Sequence, residues 1–276
     1  MKKINLVIAL ALTVFALSFT ACKKTTDANG GIADGSTLKV TTQSTISDNL
    51  NEDANNVFAQ TVNDTTTLGA SRPAPYYNAV ITINGTVFPK TVTIDFGTGT
   101  TSQDGIVRSG KIIVVLSDSF YKAGSVDTLT FNNYVVAGYQ KEGTIVWTNQ
   151  SHHDTLAWTR VDSGTVTAPG GAYWHHFGSI GVIQTAGFGD FDLYNNVYSI
   201  TGSRRITNSD GVSATSTILP ITPLEKKASC PYIDKGQLVI GINNTSHSVL
   251  IDFGNGDCDA TASYSYDHGA FHDFQF

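Results

Sequence analysis

The chain has 276 residues, of which 41% are hydrophobic and 10% aromatic, enough to bury one large core or two moderate ones. Its formal charge is −6, from 17 Lys and Arg against 23 Asp and Glu. An acidic chain gains no counterion-release energy from a phosphate backbone, so no nucleic acid is expected as a partner.

The first segment, residues 1–21, has the build of a lipoprotein signal peptide. Lys2 and Lys3 supply the positive n-region, and the largely apolar run from Ile4 to Ala21 supplies the h-region. A membrane-spanning helix is the competing reading, but the run is short, contains Asn5, Thr13, Ser18 and Thr20, and stops at Cys22 before Lys23 and Lys24. The segment Phe19-Thr20-Ala21-Cys22 fits a lipobox except for Phe19, where aliphatic residues are usual. Cys22 is therefore the expected lipidation site, and the membrane the expected partner through that lipid anchor. Residues 22–37 are polar, Gly-rich and without hydrophobic period, and are expected to form a flexible tether.

The remainder, 38–276, is expected to be a single β-rich domain. Twenty aspartates against three glutamates favour turns over helices, because Asp bonds nearby backbone groups whereas Glu is the helix-compatible acid. One helix is expected over 47–63, capped by Ser47 or Asn49. Ile46, Leu50, Ala54, Val57, Phe58 and Val62 would form an apolar stripe docked on the protein's own sheet. Beyond Thr67 the hydrophobic period changes to two. Strands are expected at 79–84, 107–117, 125–138, 143–149, 154–161, 189–201, 211–221, 236–243, 248–254, 260–266 and 270–276. A further strand is centred on Val92, Ile94 and Phe96. The fold class is all-β: an antiparallel sandwich or a partly closed barrel, plus the one helix.

Thr93-Ile94-Asp95-Phe96-Gly97-Thr98-Gly99 recurs as Leu250-Ile251-Asp252-Phe253-Gly254-Asn255-Gly256, which suggests an internal duplication with units at about 76–117 and 230–276. Asp-Phe-Gly also marks kinases, but no Gly-rich loop, strand lysine or His-Arg-Asp loop accompanies it here. With Cys22 assigned to lipid, Cys230 and Cys258 remain as an even pair, the expected disulfide in an oxidising compartment.

Several longer stretches carry a family likeness: Phe88 to Gly99, Arg108 to Ile112, Gly124 to Tyr134, Glu142-Gly143-Thr144, Tyr198 to Gly202, and Cys230 through Asp259. In these, over most of 45–276, the chain resembles the uncharacterised lipoproteins of Bacteroidota. Members of that group typically keep cysteines at the first Asp-Phe-Gly unit, where this chain has Thr100-Thr101. The resemblance implies an envelope location and a β fold, and it implies no activity.

Site chemistry is sparse. No nucleophile elbow is present, and twenty aspartates select no glycosidase pair, so no catalytic residue is named. Asp252, Asn255, Asp257 and Asp259 lack EF-hand spacing, and His268 with His272 lacks a third ligand, so neither a metal nor a cofactor is expected. Adjacent histidines on a strand face opposite ways, so neither His152-His153 nor His175-His176 chelates alone. Trp147 shares a face with Ile145 and Trp158 with Leu156, which places both in the core. Trp174 and its neighbour Tyr173 are the candidate exposed aromatics for a glycan, peptide or protein ligand. The expected function is a lipid-anchored, non-catalytic binding or structural module of the cell envelope. The alternative is an envelope hydrolase of glycan or peptide whose site forms only in three dimensions.

Overall fold

A computed structural model describes residues 35–64, 72–74, 77–188, 195–230, 232–259 and 261–275. The expected signal peptide, Cys22 and all but the last three residues of the expected tether lie outside these. Among the described residues there is one helix, α1 (Gly35–Asp64), followed by sixteen strands. The first eight are β1 (Arg72–Ala74), β2 (Ala79–Asn84), β3 (Lys90–Asp95), β4 (Thr100–Thr101), β5 (Val107–Leu116), β6 (Val126–Val136), β7 (Tyr139–Asn149) and β8 (Ala157–Thr167). The others are β9 (Tyr173–Ala186), β10 (Val197–Asn208), β11 (Ser213–Ile218), β12 (Leu224–Lys227), β13 (Lys235–Ile242), β14 (Ser248–Asn255), β15 (Thr261–Tyr266) and β16 (Phe271–Gln275). No described helix is long and apolar enough to cross a membrane.

All sixteen strands belong to one antiparallel sheet, whose order follows the chain from β1 to β16 except that β4 and β12 attach to the side of the main path. Sequential hairpins need only short connections, which agrees with the many turn signals in the sequence. The all-β antiparallel class is as expected. The strands make one continuous sheet. The sheet curls around α1, whose side chains meet strands from β5 to β10.

The helix reaches further back than 47–63, and Ser47 and Asn49 lie within it. Residues 35–37, expected in the tether, belong to its first turn. The Ser/Thr-rich stretch before Ser47 has poor intrinsic helix propensity, but Val40, Gln43 and Ser44 are buried, and tertiary burial outweighs propensity. Leu50, Ala54, Val57 and Phe58 enter the core as expected, and Ile46 packs on it.

Along the long strands one face alternates inward: Ile112, Val114 and Leu116 on β5, Ile145 and Trp147 on β7, Ile180 and Val182 on β9. Trp147 and Trp158 are both buried, as expected. Phe120 stacks on Trp158 with ring centroids 5.3 Å apart and meets Phe58 edge-on at 5.4 Å, closing one end of the core. Curvature needs close backbone approach. Gly143 and Gly164 face each other across β7 and β8, and a Cβ at Gly164 would lie 1.9 Å from the Glu142 carbonyl oxygen.

Most expected strands are found near their expected bounds, but β9, the longest, was not among them. Its inward positions include His176, Gly178 and Gln184, which interrupt the apolar alternation on which a strand assignment rests. The expected strand 189–201 lies partly outside the described residues, and its described part opens β10. The two Asp-Phe-Gly motifs adopt the same turn: Asp95 Oδ1 accepts from Gly97 N, and Asp252 Oδ1 from Gly254 N, each at 2.8 Å.

Cys230 and Cys258 are disulfide-bonded, with Cα atoms 5.7 Å apart, and tie the segment after β12 to the turn after β14. The bridge spans 28 residues of sequence. Replacing both cysteines by serine is expected to lower the unfolding free energy by about 3.5 kcal/mol on the loop-closure model. Urea melts of the two proteins, with and without dithiothreitol, check this: only the parent should respond to the reductant.

Candidate functional site

Two neighbouring regions concentrate the chemistry, one on each face of β8–β10. On the inner face lies a buried charge network against α1. Asp162 of β8, fully buried, accepts from Asn51 Nδ2 at 3.1 Å, pairs with His176 Nδ1 at 3.0 Å and with Arg204 Nε at 3.4 Å. Arg204 reaches on to Asp48 at 2.8 Å and Glu52 at 3.2 Å, and Arg160 also pairs with Glu52, at 2.6 Å. Lys141 Nζ donates to Asn51 Oδ1 at 2.6 Å and lies 3.4 Å from His176 Nε2. Further along the helix, Arg108 pairs with Asp53, which also accepts from the Tyr134 hydroxyl at 2.8 Å. Space for Arg204 comes from Gly178, where a Cβ would sit 2.5 Å from Arg204 Cγ.

Burial sets the protonation of these groups. It pushes the Asp48 carboxyl up to about 6 against the opposing pull of Arg204, and raises that of Glu52. Burial also lowers Lys141 to about 8, against the pull of Asp162, and lowers His176, again with Asp162 opposing. The His176–Asp162 pair has the geometry of a base and its orienting carboxylate, but His176 is 4% exposed and Asn51 of the helix lies across Asp162. Among the described residues no hydroxyl or thiol touches the His176 ring nitrogens; Asp162 and Lys141 do. The network fastens the helix to the sheet.

The outer face is different. Tyr173, His175 and Phe177 alternate along β9 with Trp174 and His176, and the first three point outward, Tyr173 44% and Phe177 57% exposed. Trp174, a candidate exposed aromatic, is buried: it is 1% exposed, and its Nε1 donates to Ser47 Oγ of α1 at 2.6 Å. The alternation that turns Tyr173 out turns Trp174 in. In register, Phe177 lies between Ser163 of β8 and Arg205 of β10, and His175 between Thr165 and Thr207. These side chains line a shallow depression of about 410 Å³. His175 Nδ1 lies 2.9 Å from Thr165 Oγ1.

The remaining candidates do not assemble. His152 and His153 share a turn, with ring centroids 6.2 Å apart, and His175 and His176 face opposite ways as expected. His268 sits in the β15–β16 turn, while His272 packs on Tyr264 at 5.5 Å. Asp252 and Asp259 are engaged with backbone amides of Gly254 and Thr261. Among the described residues no group of three or more His, Cys, Asp or Glu is placed to hold a metal ion.

Sequence reasoning named Tyr173 but missed His175 and Arg205 as parts of its surface. The i, i+2, i+4 spacing of Tyr173, His175 and Phe177 was the available signal, obscured because β9 had not been recognised as a strand. No protein-family model, curated protein or solved structure matches this chain.

The charge network and one buried carboxyl yield two expected outcomes. Arg204→Ala leaves Asp162, Asp48 and Glu52 without that cation and should cost about 3–5 kcal/mol, read by urea denaturation. Asp127 of β6 is 1% exposed, its Oδ1 has no hydrogen-bond partner, and burial pushes its pKa up to about 7. A carboxyl raised by folding destabilises the native state once ionised. Asp127→Asn should therefore stabilise by about 1–3 kcal/mol above pH 7, with the gain fading as pH falls toward 4. Urea melts from pH 4 to 8 measure that slope.

Proposed function

We propose that the protein is a non-catalytic, lipid-anchored binding module of the cell envelope, which presents the outer face of β8–β10 to its ligand. The observation that carries the binding reading is the row of Tyr173, His175 and Phe177: two large rings held in the open on rigid strands, beside a shallow depression. Large exposed aromatics with few rotatable bonds provide contact area at low entropic cost, and they dominate the energetics of many interfaces. The titratable groups that converge do so under α1, in ion pairs, which supports binding over hydrolysis.

The anchor rests on Lys2, Lys3, the apolar run and Cys22. The Cys230–Cys258 bridge supports the same oxidising compartment. The repeated Asp-Phe-Gly turns support descent of the two β units from a duplicated segment, in keeping with the Bacteroidota lipoproteins that the chain resembles.

The full chain, purified in detergent, should bind ligands on a glycan and peptide array, and Tyr173→Ala/Phe177→Ala should weaken that binding at least tenfold while leaving the melting temperature unchanged. An array on which parent and double variant behave alike overturns the binding face. Mass spectrometry of the mature N-terminus should find acylated Cys22, and an intact Met1 overturns the anchor.

A further inference from the structure

Resting on the binding face proposed above, we infer that its ligand is an acidic oligosaccharide whose carboxylate is held by Arg205 while its sugar rings lie along Phe177 and Tyr173. Among the arginines with described side chains, Arg108, Arg160 and Arg204 are each paired with carboxylates, whereas Arg205 makes only a 3.4 Å contact to Ser213 Oγ. Register shows why. Its direct neighbours across the sheet are Phe177 and Thr215, and the diagonal positions hold His175, Ser179, Ser213 and Thr217, none of them acidic. Among the described residues no carboxylate pairs with the Arg205 guanidinium, although the chain carries a formal charge of −6. A guanidinium presents a planar fork of donors that fits a carboxylate bidentately.

The surroundings select the rest of the ligand. Phe177 is in register with Arg205 on the adjacent strand, so a group held by the guanidinium brings its own ring over the phenyl face. Ser163, Thr165 and Thr207 border the same depression and offer hydroxyls that both donate and accept, as sugar hydroxyls require. Tyr173 and Phe177 are four residues apart on one strand, about 13 Å, a span that suits a short oligosaccharide rather than one ring. His175, between them, is held at Thr165 and fills the row.

The test compares oligogalacturonate and oligoalginate with methyl-esterified oligogalacturonate, titrated calorimetrically into the full chain in detergent. Esterification removes the charge and keeps the sugar. The acidic oligomers should bind, and both the ester and the Arg205→Gln variant should give binding at least tenfold weaker. Arg205→Gln loses one weak contact at an exposed position, so its melting curve should match the parent's.

Equal affinity for acid and ester, or an Arg205→Gln variant as tight as the parent, overturns the acidic assignment. If both forms bind equally and Phe177→Ala loses both, the binding face stands without it. No binding of either acidic oligomer overturns the inference, and the array comparison above then decides whether the face itself survives.

Discussion

The structure depends on the seam where the polar side of α1 meets the charged inner face of β8–β10. Asp162, His176 and Arg204 stand on three successive strands; Asn51 of the helix binds Asp162, Asp48 and Glu52 bind Arg204, and His176 is held between them by Asp162. Buried ion pairs of this kind are weak sources of net stability, because desolvation offsets most of the attraction. Their effect here is on register. A one-residue slip of any of these strands would turn its charged side chain outward and leave its partners buried and alone. The outer face of the sheet is rich in Ser and Thr and says little about register by itself.

The same constraint creates the outer aromatic row. Side chains alternate along β9, so fixing His176 at Asp162 and Trp174 at Ser47 of the helix fixes His175, Tyr173 and Phe177 on the opposite face. The interior contacts thereby position an exterior row that has few interactions of its own. Arg204 and Arg205 show the division in adjacent residues: one is enclosed by three carboxylates, the other faces solvent beside Phe177. A rigid strand holds such a row without ordering a loop on binding, which lowers the entropic penalty of association.

Much of the fold was legible because many strands are half-buried. Val92 and Ile94 alternate with Thr91, Thr93 and Asp95, and Asn and Gly mark many of the intervening turns. The stripe of Leu50, Ala54, Val57 and Phe58 announced a docked helix in the same way. Its first turns were hidden because residues 35–37 read as tether and Thr41, Thr42 and Ser44 have poor helix propensity, so that only packing makes them helical. Strand β9 was hidden for the opposite reason: its inner face is partly polar, so the hydrophobic period fails where the charge network lies.

The sequence by itself determined the antiparallel β class, the helix that docks on the sheet, the inward turn of Trp147 and Trp158, and the pairing of Cys230 with Cys258. Each is a matter of local alternation, turn chemistry or counting. Only the tertiary structure decided that the strands form one curled sheet rather than two, that Trp174 is core, and that Tyr173, His175, Phe177 and Arg205 share an outer face. These depend on which residues of distant segments meet, Asp162 with Asn51 and Trp174 with Ser47. Contacts across more than a hundred residues leave no period in the sequence to read.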